Sequence, residues 1–131
     1  MREILFRGKM KTDSGEYKRG AWVYGDFVTL IDGKEAHPHI YGKGEIATST
    51  IGQYTGLTDK NGAKVFEGDI VKLFYKDGFE IGLIGWSNID FRYKFASPDG
   101  MAYGFDVTDA FEVVGNVHDN PELLKGEVQG K

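Results

Sequence analysis

With 131 residues, 40% of them hydrophobic, and nine Phe, seven Tyr and two Trp, the chain can bury one bulky core, or a small barrel with an arm. It has no cysteine, which excludes disulfides, cysteine-ligated zinc and thiol catalysis, and its 19 glycines against 3 prolines read as turns of an all-β protein. The net charge of −4 is uneven: residues 1–20 hold Arg2, Arg7, Lys9, Lys11, Lys18 and Arg19 against three acids (+3), and the remainder ten basic against seventeen acidic residues (−7).

A basic leader on an acidic body points to a contact with its own or a neighbouring subunit ahead of nucleic acid. No apolar run approaches the ~18 residues of a membrane span, and the start lacks a signal-like apolar stretch. The expectation is a soluble, cytoplasmic protein with no membrane partner.

In chain order, "EILF" and, after a Ser14-Gly15 turn, "AWVYGDFVTLI" suggest two or three loose strands. "DGKEAHPHIYGKGE" is polar and glycine-broken, and predicts a mobile loop over about residues 32–45. Asn61-Gly62 is the strongest hairpin signal, and Glu67-Gly68-Asp69 a second turn that delivers the chain into "DIVKLFY". That strand puts Val71, Leu73 and Tyr75 on one face and Ile70, Lys72 and Phe74 on the other. An Asp77-Gly78 corner leads into Phe79–Trp86, where Phe79, Ile81 and Leu83 alternate against Glu80, Gly82 and Ile84.

"FRYKFA" then predicts Phe91, Tyr93 and Phe95 inward with Arg92 and Lys94 outward. "SPDG" is a turn, "MAYGFDV" alternates through Met101, Tyr103, Phe105 and Val107, and "FEVVGNV" is the last strand, with Phe111, Val113 and Val117. In "NPELL", Asn120 is the expected N-cap and Pro121 the first helical position, ahead of a frayed tail. The plan is an N-terminal β extension (1–51), a small β-barrel (52–119), and a short helical turn with its tail (120–131).

Chemistry-bearing groups are sparse. Glu67 and Asp69 flank a glycine, which is ordinary turn chemistry more than a cation or acid–base site. His37-Pro38-His39 places two imidazoles two residues apart, an arrangement able to face one metal on an extended segment, but an incidental pair in a loop is preferred. There is no G-x-S-x-G, P-loop or dinucleotide glycine pattern. Arg92 and Lys94 flank Tyr93, but alternation sends the ring to the opposite face, so a stacking platform for nucleic acid is disfavoured.

"GDIVKLFYKDGFEIGLIGW" resembles the opening of small barrels of the Src-homology-3 type. "GQYTGLTDKNGAKVFEGDIVKL", "FEVVGNVHDNPELL" and the start "MREILFRGK" together resemble the YopX family of phage and prophage proteins. The resemblance implies a mostly β protein with an SH3-like barrel, encoded by a temperate phage or an integrated element. It implies no activity, cofactor or catalytic residue. Its motif positions Gly56, Asn61, Gly62, Gly68, Asp69, Gly115 and Asn116 already serve as turns and strand starts. Gln53 and Tyr54 have no such role, which makes them candidates for a contact surface.

The expected function is therefore a non-enzymatic protein-binding or adaptor module. It is expected to be homo-oligomeric, with an unidentified phage or host protein as partner and no cofactor. The alternative is a nucleic-acid-binding accessory protein using Arg7, Lys9, Arg92 and Lys94. A metal-assisted enzyme built on the histidine loop or on Glu67 and Asp69 ranks third.

Overall fold

A computed structural model describes residues 3–89, 91–98, 102–104 (backbone) and 110–124, and the chain divides into two compact units, Met1–Tyr54 and Thr55–Lys131. Among the described residues no helix is long and apolar enough to cross a membrane.

The first unit is built from β1 (Phe6–Lys9), β2 (Trp22–Gly25), β3 (Phe27–Asp32), β4 (Glu35–Ile40), β5 (Gly44–Glu45), a 3₁₀ turn at Thr48–Thr50, and the start of β6 (Gly52–Thr58). β1 lies antiparallel between β2 and β6, with Phe6 opposite Gly25 on one side and Gln53 on the other. Met10, Val23, Ile40 and Ile46 form its buried core, and Phe6, Tyr17, Phe27 and Ile51 pack around them.

The segment expected to be a mobile loop is instead paired backbone. β3 and β4 form a hairpin running from Phe27↔Ile40 to Asp32↔Glu35, and β5 adds to the other side of β4. Sequence pattern hides this because most side chains of β3 and β4 stay at least partly solvated and only Ile40 is fully buried. The strands are specified by ladder hydrogen bonds, not by an apolar stripe. Pro38 is tolerated within β4, and its carbonyl accepts the Ile46 N–H at 2.9 Å.

The second unit holds the rest of β6 with β7 (Lys64–Phe66), then β8 (Asp69–Tyr75), β9 (Gly78–Ser87), β10 (Arg92–Ala96), β11 (Ala102–Gly104) and β12 (Phe111–Asn116). β8 to β12 form one antiparallel sheet in the order β11-β10-β9-β8-β12. Val65, Val71, Leu73, Ile84, Phe95 and Phe111 are its buried core, with Leu57 and Val113 packed against them.

The all-β class expected from the sequence holds, but the sheets are open, and no barrel closes among the described residues. β8 to β11 meander one way while β12 returns to the far side of β8. The outer edge of β12 meets a turn instead of a strand: the Asp59 carboxylate accepts the Val113 N–H at 2.9 Å, and Phe111 O accepts the Lys60 N–H at 3.1 Å. An edge satisfied in this way needs no barrel closure.

The registers correct several finer expectations. Tyr75 pairs with Gly78, so the two-residue loop is Lys76-Asp77, one position earlier than Asp77-Gly78. The expected alternation of β9 holds: Val71 faces Gly82 and Phe95 faces Ile84, so Gly82 and Ile84 look into the core while Phe79, Ile81 and Leu83 line the opposite face. Gly82 is required there: a Cβ would stand 2.5 Å from Phe95 Cζ and 2.7 Å from the Ala96 carbonyl oxygen. Phe91 was expected inward but leaves strand parity, with φ 56 and its side chain exposed.

At the C-terminal end, a helical turn covers residues 122–124. The expected N-cap works backwards: Asn120 Oδ1 accepts the Asn116 N–H at 3.2 Å, and its backbone carbonyl takes the Leu123 N–H. Asn116 Oδ1 in turn accepts the N–H groups of His118 and Asp119, so the two asparagines tie the last strand to the turn. Arg2, Met101, Phe105, Val107, half of "SPDG" and the tail from residue 125 lie outside the described residues.

Candidate functional site

The surface of the second unit that departs furthest from an ordinary solvated face is the connection from β9 to β10 and the sheet face beside it. Ile89 is 88% exposed, Phe91 74% and Trp86 44%. Two hydrogen bonds shape the corner: Phe91 N–H donates to Ser87 O at 2.8 Å, and Ile89 N–H to Ser87 Oγ at 3.3 Å. An aromatic residue in left-handed backbone costs about 1–2 kcal/mol, because its Cβ crowds the following carbonyl. Trp86 is braced edge-on by Tyr93, its cross-strand partner, with ring centroids 5.0 Å apart.

Beside the corner lies an open pocket of about 340 Å³, lined by Leu83, Gly85, Trp86, Ser87, Ile89, Lys94 and Ala96. Register explains the set: Lys94 faces Gly85 and Ala96 faces Leu83, all on the side of the sheet away from the core. Further along that side, Lys72 stands opposite Ile81 and holds its ammonium 4.5 Å from the centre of the Phe79 ring. Lys60 does the same over Phe74 at 4.4 Å, and the two Phe rings tilt against each other at 6.5 Å. Glu112 also lies on this face, opposite Lys72, and its Oε2 accepts from Asn61 Nδ2 at 3.3 Å.

The residues singled out from sequence are divided between the two units. Arg92 is exposed and Lys94 half-buried, both on the outer face of the second unit as expected. Arg7, Lys9, Gln53 and Tyr54 belong to the first unit. There, strand alternation puts Arg7, Lys9 and Tyr54 on one face with Trp22 and Tyr24. The Arg7 guanidinium carbon lies 4.6 Å from the Trp22 ring centre and the Lys9 ammonium 5.5 Å from it. Arg7 and Tyr54 are buried, and Gln53 faces the other way, opposite Phe6. Leading cations that engage a ring of their own unit offer less to an outside phosphate than their charge suggests.

The histidines make a polar network. His37 Nδ1–H donates to Glu45 Oε2 at 3.1 Å, and Glu45 also takes Lys11 Nζ at 3.2 Å. The hydrogen bonds from His37 and Lys11 hold the Glu45 carboxyl below its usual range. His39 Nδ1–H donates to the His37 carbonyl at 2.9 Å. Among the described residues no group of three His, Asp or Glu is arranged to hold a metal ion. Asp69 is buried and its Oδ2 accepts the Phe66 N–H at 2.8 Å, which makes it part of the turn it closes.

Sequence reasoning missed Ile89, Trp86 and the Leu83 floor of the pocket. The available signal was "WSNIDF", where Ser and Asn mark a turn that three large apolar residues do not suit.

No curated protein matches the chain. Among solved structures it is similar to the crystal structure of protein EF1440 from Enterococcus faecalis, with 28% sequence identity over 76% of this chain and 75% of that one, and a TM-score of 0.47. The family profile described as YopX protein matches residues 10–125, most of the length. Turns at Asn61-Gly62 and Gly68-Asp69 and the Gly115-Asn116 end of β12 lie inside that match, and the chain belongs to the YopX family.

Proposed function

We propose that the chain is a non-enzymatic, protein-binding accessory module of a phage or prophage, acting in the host cytoplasm and self-associating through the β9–β10 corner. The observation that carries this reading is the display of Ile89 and Phe91 on a corner whose backbone is strained at Phe91. A corner meant only to reverse the chain is better served by Gly or Asn at positive φ. Leaving two large apolar side chains in water gains nothing unless another surface covers them, which returns ~25 cal/mol per Å² of apolar area. Strain held beside an exposed apolar group is the pattern of a contact site.

Sedimentation equilibrium tests the reading. The wild-type chain is expected to self-associate with rising concentration, and the double variant Ile89→Ser/Phe91→Ser to stay monomeric with unchanged circular dichroism. A wild-type monomer throughout, or a variant that associates equally, overturns it.

A further inference from the structure

β3 ends the strand order β3-β4-β5, so one of its rims has no neighbouring strand. It is six residues long, and β12, the other rim strand of that length, has its rim held by the Asp59 turn. Sheet rims are commonly blunted by a lysine, a proline or a bulge. From Phe27 to Ile31 β3 carries none of these, and its register with β4 runs without a break. Leu30 is 54% exposed and Ile31 68%. Val28 and Leu30 also line an open pocket of about 370 Å³ with His39 and Tyr41.

Alternation shows which backbone groups face the open rim. The two-residue loop Gly33-Lys34 closes on Asp32↔Glu35, so Asp32, Leu30, Val28 and Asp26 are the residues that bond to β4. Two bonds agree with this: Asp26 O accepts the Tyr41 N–H at 2.8 Å, and Pro38, opposite Thr29, turns its carbonyl to Ile46. The N–H and C=O groups of Thr29 and Ile31 therefore point away from β4.

A second copy of β3, antiparallel about a two-fold axis, can bond only where open groups meet open groups. That parity puts the axis through a residue, and Thr29 and Leu30 give the longest overlap. Centring on Thr29 sets Asp26 opposite Asp32 of the other copy at both ends, and like charges directly opposite destabilise a pair. Centring on Leu30 sets Thr29 opposite Ile31 and brings Asp26 beside the Gly33-Lys34 turn of the other copy, within reach of Lys34. Asp26 and Lys34 are both exposed, and neither side chain has a bond or ion pair among the described residues.

We infer that β3 pairs edge to edge with β3 of a second copy of this chain, antiparallel and centred on Leu30, with an Asp26–Lys34 ion pair at each end. About four backbone hydrogen bonds join Thr29 and Ile31 across the axis. The contact goes beyond the corner proposed above, since β3 belongs to the first unit and the corner to the second. It is also the weaker of the two. Its backbone bonds replace bonds to water, and their gain must offset the lost freedom of two molecules, so alone it has a dissociation constant on the order of millimolar. Sedimentation at micromolar concentration does not read such a contact, but a covalent trap does.

The chain has no cysteine, so the single variants Thr29→Cys, Leu30→Cys and Ile31→Cys each carry one thiol, all at exposed positions. Each reads one centre. In the Leu30-centred pair the two Leu30 Cα atoms stand about 4.5 Å apart, within disulfide range. Each Thr29 or Ile31 lies about 8 Å from its own counterpart, beyond that range. Under copper–phenanthroline oxidation, Leu30→Cys is expected to form the disulfide dimer about tenfold faster than the other two. Adding Lys34→Asp should slow it about threefold, and Asp26→Lys/Lys34→Asp should restore the rate.

Equal rates at the three positions mean random collision, leave the edge to solvent or to a strand of another protein, and overturn the inference. A faster Thr29→Cys or Ile31→Cys overturns it as well, and so does a charge swap that restores nothing. The same series in the Ile89→Ser/Phe91→Ser background separates the two contacts. Trapping kept there supports an edge contact independent of the corner, whatever sedimentation says of the corner. Trapping lost there overturns it.

Discussion

The β6–β7 corner and the β9–β10 corner both reverse an antiparallel strand, and they do so by opposite means. At the first, Asp59 puts its carboxylate into the turn: Oδ1 accepts the N–H groups of Asn61 and Ala63 at 2.9 Å, and Oδ2 that of Val113. Gly62 takes the positive φ, at 85, where no side chain is strained. At the second corner Phe91 takes the positive φ and turns its ring to solvent. In one corner side chains serve the backbone, and in the other the backbone is bent to present side chains. Turn chemistry of the first kind belongs to folding, and the second kind is what the proposed contact would use.

The sharpest way to break the comparison is to remove Asp59. Asp59→Ala leaves three N–H groups without their charged acceptor and unpins the edge of β12. Hydrogen bonds to a charged group contribute ~1.5–3 kcal/mol each and are not additive, so a loss of about 3–5 kcal/mol is expected in urea denaturation. A loss below 1 kcal/mol would make the two corners energetically alike.

Acid gives the same corner a graded test. Burial pushes the Asp59 carboxyl up, but the three backbone N–H bonds and the Lys60 charge outweigh it and hold the pKa below its ordinary 3.8. A depressed folded-state pKa means the contribution is present above the unfolded value and lost as pH falls through the folded one. Stability should therefore fall from about pH 4 downward, and Asp59→Asn should flatten that slope. Identical slopes in both proteins would remove the carboxylate from the account.

The sequence made the Asn61-Gly62 turn plain, because glycine at positive φ leaves a local mark, but it hid Asp59. One of that carboxylate's three partners, Val113, is 54 residues away. The strands from residue 69 onward were legible through their apolar alternation. β4 and β5 were not, because a sheet with solvated faces spends its alternating positions on Glu35, His37 and His39 and still pairs by backbone. Within the candidate site, Lys94 and Arg92 were placed on the correct face by alternation alone. Phe91 was misplaced because a single left-handed residue resets the parity on which alternation depends, and no pattern of apolar residues records a φ angle.

A packing defect between the corners separates steric from hydrogen-bonding cost. Gly82→Ala drives a methyl to 2.5 Å from the fully buried Phe95 ring and 2.7 Å from the Ala96 carbonyl, which is held in the sheet. Overpacking of this kind costs about 1–3 kcal/mol. It should lower the urea midpoint without changing the acid slope that Asp59 sets. A changed slope would mean that Asp59 and the sheet interior are not independent.

The smallest effect is the most informative about the second corner. Phe91→Gly removes about 1–2 kcal/mol of left-handed strain and adds about 0.5–1 kcal/mol of chain entropy to the unfolded state. A side chain that is 74% exposed gives up little packing when deleted. The net expectation is unchanged stability or a gain of up to about 1 kcal/mol, together with loss of self-association in sedimentation. That combination, a more stable protein that no longer associates, is what a residue kept for contact predicts. A loss beyond about 1 kcal/mol would show that Phe91 contributes to the unit's own packing, and the two corners would then differ in geometry but not in purpose.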